Sequence, residues 1–195
     1  MALRYFFDVV CPYSYIMGFE VEEAEDEGLV EIEWLPFELR PAPAPLPEPR
    51  GEYIRGHWRG QVYRLADQHG VEIHVPRHQP RSTLALTLHA FAVGEGKGRP
   101  FRNAAHRAFF VEGLNVGDDA VLREASQEAG LDADAALEAA WDPAGLVALS
   151  SIREEALRLG IHGVPTVATA DEVLFYGAAE PGRLRPMLAK ESGAR

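Results

Sequence analysis

Residues 3 to 10 read LRYFFDVV and the chain continues CPYSYIMGFE, with its single cysteine at the junction. The first run is too short for a helix and too apolar for an exposed strand, so it predicts a strand buried on both faces. Pro12 suits only the first turn of a helix, because its missing N–H would have no intrahelical partner there. Strand must therefore give way to helix at Cys11. Tyr15, Ile16 and Phe19 are expected on one helix face, Glu22, Glu23, Glu25 and Asp26 on the other, and Gly28 stops the helix. VEIEWLPF at 30 to 37 then alternates as a strand does, with Pro36 marking an edge or an end. Strand, helix, strand in this order predicts a parallel pair joined by a right-handed crossover.

PAPAPLPEP at 41 to 49 is a stiff connector with little potential for helix or sheet, and it reads as a boundary. Apolar spacing such as Leu84, Leu88 and Phe91, punctuated by Pro80, Gly113, Gly130 and Pro143, predicts helices over 52–69, 81–94, 98–112, 118–129, 132–141 and 143–159. Strand character returns in GVPTVATA and in VLFYGA beyond a turn near Asp171, and a last helix covers 181–190. The fold class is α/β with a large all-helical insertion: residues 1–40 and 143–195 form the sheet-bearing unit, and 41–142 the inserted one. No fixed-period repeat is visible.

The 195-residue length allows one core with an insertion. Hydrophobic residues at 47% and charged residues at 25% are ordinary for a soluble domain, and no apolar run approaches the roughly 18 residues of a membrane span. A net charge of −11 with dispersed basic residues argues against nucleic-acid and membrane partners. MALRYFF does not have the form of a secretory leader, and one cysteine cannot make an internal disulfide; both point to a cytoplasmic location.

Cys11 falls where the first N–H groups of a helix converge and its dipole favours an anion. That dipole contributes about 0.3–1 kcal/mol, up to about 2 when partly buried, which moves a thiol by about one pH unit. Hydrogen bonds must do the rest, and Ser14, three residues on, can aim both hydroxyl and N–H at the sulfur. CPYS thus reads as a thiolate site facing solvent; the plainer alternative is an inert core cysteine. Far along the chain, Gly163-Val164-Pro165-Thr166 lies between helix and strand. Its X–Pro bond is either cis or that of a simple strand-entry proline.

CPYS after a first strand, a mid-chain helical block and GVPT before a strand pair resemble the DsbA-like branch of the thioredoxin superfamily. YFFDVVCPYSYIMGFE is similar to FrnE-type oxidoreductases, whose motif is CPWC, and to 2-hydroxychromene-2-carboxylate isomerases and kappa-class glutathione transferases, whose motif is SPYS. AHRAFFVEGLNVGD at 105–118 and LGIHGVPT at 159–166 resemble the FrnE branch. The resemblance implies a thioredoxin-like fold, with a central mixed sheet and flanking helices, and Cys11 and Ser14 as catalytic residues. It further implies that Pro12, Tyr13, Val164 and Pro165 bind substrate, with Pro165 cis and the Val164 backbone pairing an extended thiol ligand.

Ser14 stands where redox members carry a second cysteine. A self-contained dithiol oxidase is thereby excluded, leaving monothiol exchange completed by an external thiol. The isomerase branch holds glutathione with a Gly-x-Asp-Arg stretch, where this chain has Gly177-Ala178-Ala179-Glu180. Three readings follow: a monothiol thiol-disulfide oxidoreductase, a glutathione-dependent isomerase or transferase, and a non-catalytic peptide-binding module. No cofactor is expected beyond glutathione as a co-substrate, partners are a thiol or disulfide in a peptide or small molecule, and a homodimer is left open.

Other polar residues carry weaker signals. Asp8 is a proton relay beneath the thiol or a structural acid, and His162 an acid-base group or a solvated loop residue. Arg77 and Arg81 clamp a carboxylate or decorate the helix that follows. His57, His69, His74, His78, His89 and His106 lack metal-ligand spacing, so no metal site is expected.

Overall fold

The computed structural model describes residues 2–49 and 51–192; Met1, Arg50 and 193–195, at the edges of the ranges assigned above, lie outside the described residues. Strand β1 (Leu3–Phe7) leads through Cys11 into α1 (Pro12–Asp26), and β2 (Ile32–Pro36) returns beside β1 in parallel, Leu3 facing Ile32 and Phe7 facing Pro36. A helical block follows: α2 (Glu52–His57), a π-helical turn (Trp58–Val62), α3 (Tyr63–His69), α4 (Thr83–Gly94), α5 (Gly98–Phe110), α6 (Asp119–Glu128) and α7 (Ala133–Trp141). The chain closes with α8 (Pro143–Arg158), β3 (Thr166–Ala168), β4 (Val173–Tyr176) and α9 (Leu184–Ser192). The sheet runs β2-β1-β3-β4, with β3 antiparallel to β1 and β4 antiparallel to β3.

Alternation along β1 gives the sheet two buried faces. Leu3, Tyr5 and Phe7 enter a large core that continues into the helical block through Leu86, Phe101, Phe109, Leu122 and Leu137. Phe6 points the other way, into a smaller cluster with Cys11, Phe37, Ala156, Ile161 and Val164. Each fully buried Phe or Leu contributes roughly 1.5–3 kcal/mol, so both faces resist strand slippage. The proline connector is held from outside: Arg81 donates to the carbonyl oxygens of Arg40 and Ala44, at 2.5 and 2.7 Å. That geometry assigns Arg81 to the connector backbone instead of to a substrate carboxylate.

Three expectations are corrected. The helix expected over 52–69 contains the π-helical turn, because Ile54, Trp58 and Val62, all buried, recur at a strict spacing of four, which the wider turn keeps in line. In α1 the inward face is Ile16, Met17, Glu20, Val21 and Ala24, while Phe19 is 43% exposed. Glu20 is buried because its Oε1 accepts the N–H of Arg185 at 2.9 Å, in the first turn of α9. The last helix, expected over 181–190, runs Leu184–Ser192. Gly28, at φ 69°, ends α1 as its sequence suggested.

His89 and His106 are buried beside Phe7, and both ring nitrogens of His89 and Nε2 of His106 lack hydrogen-bond partners among the described residues. Burial and the nearby Arg102 charge keep both neutral, His89 well below the ordinary range and His106 lowered to about 3. Asp8 is shifted the other way, raised by burial to about 6. Near pH 5 the unfolded chain therefore binds two protons at the histidines that the fold refuses, while the fold holds one at Asp8 that the unfolded chain has lost. The difference is one proton, so these groups lower the unfolding free energy by about 1.4 kcal/mol for each unit of acidification there. Replacing His89 by Leu removes one of the two and should flatten that slope. Urea titrations from pH 6 to 4.5 measure it, and parallel slopes for the two proteins would contradict the assignment.

Candidate functional site

Cys11 is the N-cap of α1, extended at φ −91° and ψ 114°, with Pro12 opening the helix. The backbone of β1 arrives there under a tight constraint: the Cys11 N–H donates to the Asp8 carbonyl at 3.0 Å, and the Asp8 N–H to Ser14 Oγ at 3.4 Å. Asp8 itself is fully buried, its Oδ2 accepting the Leu39 N–H at 2.8 Å and its Oδ1 the Val10 N–H at 3.2 Å. Ser82 adds a side-chain hydrogen bond to the same carboxylate. These bonds make Asp8 the tie between β1, the segment after β2 and the start of α4.

The GVPT loop reaches the same place from the far end of the chain. The Val164–Pro165 peptide is cis. The Thr166 hydroxyl donates to the Gly163 carbonyl at 2.8 Å, and the Gly177 N–H donates to the Pro165 carbonyl at 2.9 Å, tying the loop to the end of β4. Gly163 lets Tyr176 lie close over the loop, since a Cβ there would stand 2.7 Å from the Tyr176 hydroxyl and that exposed side chain would have to shift. So placed, the Val164 carbonyl accepts a hydrogen bond from Cys11 Sγ at 3.4 Å.

The solvent-facing thiolate expected at Cys11 is corrected by the fold. Cys11 is 4% exposed, and burial pushes its thiol up to about 11. The hydroxyl and N–H of Ser14 and the N–H of Tyr13 pull downward as the helix N-terminus should, but the desolvation of a thiolate outweighs them, and the Asp8 charge adds to the rise. Cys11 is here a neutral thiol whose S–H donates a hydrogen bond to the Val164 carbonyl.

Beside it opens a cleft of about 600 Å³, lined by Tyr13 and Val164 on the sulfur side, Gln61 and Arg64 from the helical block, and Tyr176, Glu180 and Arg183 from β4 and the turn after it. Arg64 and Glu180 form an ion pair at 3.0 Å across the cleft mouth. Of the residues singled out from the sequence, Cys11, Pro12, Tyr13, Ser14, Val164 and Pro165 come together here. Ser14 lies fully buried beneath the sulfur, and His162 is exposed on the loop. Gln61, Arg64, Tyr176 and Arg183 are not among the residues singled out from the sequence, and no local motif marks them, although Glu180 ends the Gly177-Ala178-Ala179-Glu180 stretch and Arg183 follows it by three residues. Among the described residues no three His, Cys, Asp or Glu side chains gather as metal ligands do.

Comparison with known proteins identifies the fold and the family. The chain is 34% identical to YwbO of Bacillus subtilis, an uncharacterized protein, over 179 residues covering 88% of each. It is 24% identical to 2-hydroxychromene-2-carboxylate isomerase of Sphingobium xenophagum, covering 90% of this chain and 91% of that one. Its fold superimposes with a TM-score of 0.74 on the cytosolic disulfide reductase DsbM of Pseudomonas aeruginosa with GSH, at 21% identity and covering 98% of both chains. A model of the DSBA-like thioredoxin domain matches residues 2–189, and the chain belongs to that family.

Proposed function

We propose that this protein carries out thiol-disulfide exchange through one sulfur, that of Cys11, in a reducing, cytoplasmic setting, with an external thiol such as glutathione completing the reaction. The observation that carries this reading is the approach of Sγ to the Val164 carbonyl, 3.4 Å, at the edge of a cleft large enough for a tripeptide. A ligand that pairs with the Val164 backbone as an added strand takes over the carbonyl to which the thiol now donates. The freed sulfur then has Ser14 and the first helical N–H groups as its stabilising partners.

The chemistry balances without a second cysteine. Cys11 sulfur attacks one sulfur of a disulfide RSSR, forming Cys11–S–S–R and releasing RS⁻, which takes the proton that Cys11 lost. A second thiol then attacks the mixed disulfide, returns Cys11 to its thiol and leaves as a disulfide with R. Arg64, Glu180 and Arg183 suit a ligand with both carboxylates and an ammonium group, as glutathione has. The presence of GSH in the DsbM structure supports the same class.

The neutral state of the thiol favours a second reading, in which Cys11 donates a hydrogen bond to the sulfur of bound glutathione in an isomerase or transferase. Incubation with oxidised glutathione separates the two. Exchange predicts a single adduct on the intact protein, removed by reduced glutathione and abolished in Cys11→Ser. The isomerase reading predicts no adduct, with reduced glutathione bound equally well by the wild type and Cys11→Ser.

Calorimetry with millimolar reduced glutathione tests the cleft itself. Arg183→Ala should weaken binding by about fivefold, the effect of one exposed charge contact. An unchanged isotherm would remove Arg183 from the binding site.

A further inference from the structure

The cleft and the sulfur are neighbours, yet Cys11 does not line the cleft wall; Tyr13 and Val164 do. Tyr13 is half-buried and packs against the apolar cluster that contains Cys11, on the side toward the cleft. Its hydroxyl donates to Gln61 Oε1 at 2.8 Å. Its ring is met edge-on by His57 at 5.4 Å, and Tyr53 stacks on His57 at 5.9 Å. All of these partners come from α2 and the π-helical turn, which places Gln61 outward while Trp58 and Val62 stay in the core. Helices of this kind are scarce and tend to occur where function requires the altered phase.

We propose that Tyr13 is a cover over Cys11, latched by Gln61, and that a ligand entering the cleft opens it. Gln61 is thus a positioning residue: through Tyr13 it sets whether the sulfur can be reached. The latch bond lies among exposed groups, where water competes for both partners, so it holds the cover closed by a small margin that a ligand can overturn. The charged and titratable groups around the cover are Cys11, Tyr53 and Arg64, with His57 against the ring. None of them replaces Gln61 as acceptor for the Tyr13 hydroxyl. The inference builds on the proposed exchange at Cys11 for its consequence, but the latch is read without any disulfide chemistry.

The test is the pH-rate profile for alkylation of Cys11 by iodoacetamide in the full chain. Tyr13→Phe keeps the ring and removes the latch donor; Gln61→Met keeps the side-chain length and removes the acceptor; Gln61→Glu keeps an acceptor oxygen. Tyr13→Phe and Gln61→Met should each react about fivefold faster at pH 8, the change one net hydrogen bond supports, with midpoints moved to lower pH. Gln61→Glu should stay near the wild-type rate, and urea midpoints should be the same for all. Wild-type rates in both Tyr13→Phe and Gln61→Met, or a rate in Gln61→Glu equal to that of Gln61→Met, would overturn the latch. Faster alkylation in the two variants with no glutathione adduct on any protein would support the latch while rejecting exchange.

Discussion

The contact between Cys11 Sγ and the Val164 carbonyl joins residues 153 apart in sequence, and the rest of the site follows from holding those two ends together. The sheet does this. β3 lies antiparallel to β1 with Tyr5 facing Val167 and Phe6 facing Thr166, so the loop before β3 and the turn after β1 must emerge at the same end of the sheet. Burial of β1 on both faces fixes the register, because a shift by one residue would exchange Phe6 with its neighbours and drive Arg4 into a core. Arg4 instead meets Glu33 and Glu155 near the surface.

That arrangement sets up a conflict at the sulfur. The N-terminus of α1, Ser14 and the backbone N–H of Tyr13 all favour a thiolate, whereas packing against Phe6, Phe37 and Ile161 removes the water that would solvate one. Burial wins. A site with these two opposed terms responds strongly to small changes of exposure, because admitting water or ligand reduces the unfavourable term and leaves the helix-terminus donors in place.

The helical block contributes more than bulk. Its helices share the large core with β1 and α1, and its π-helical turn carries Gln61, and α3 Arg64, to the mouth of the cleft opposite the turn that carries Glu180 and Arg183. The block faces the cleft through the exposed polar groups Gln61 and Arg64 and faces the sheet through buried groups, most of them apolar but including His89, Arg102 and His106. It can therefore vary what the cleft accepts without disturbing the core that holds β1.

Much of this was written locally. The apolar run at 3–10, Pro12 after Cys11, the stops at Gly28 and Gly130, and the helical periods of the middle segment specify the element order, the parallel β1–β2 pair and the N-cap position of the cysteine. Those signals depend on neighbours within a few residues. What depended on distant parts of the chain was not legible: Phe19 turning outward while Glu20 turns in to meet α9, Arg81 binding the connector, and the Gln61–Tyr13 pairing. The state of the thiol belongs with these. Local sequence specifies the donors that would stabilise a charged sulfur, but desolvation is set by Phe37, Val164 and Ile161 arriving from elsewhere, and that contribution exists only once the tertiary fold has closed around Cys11.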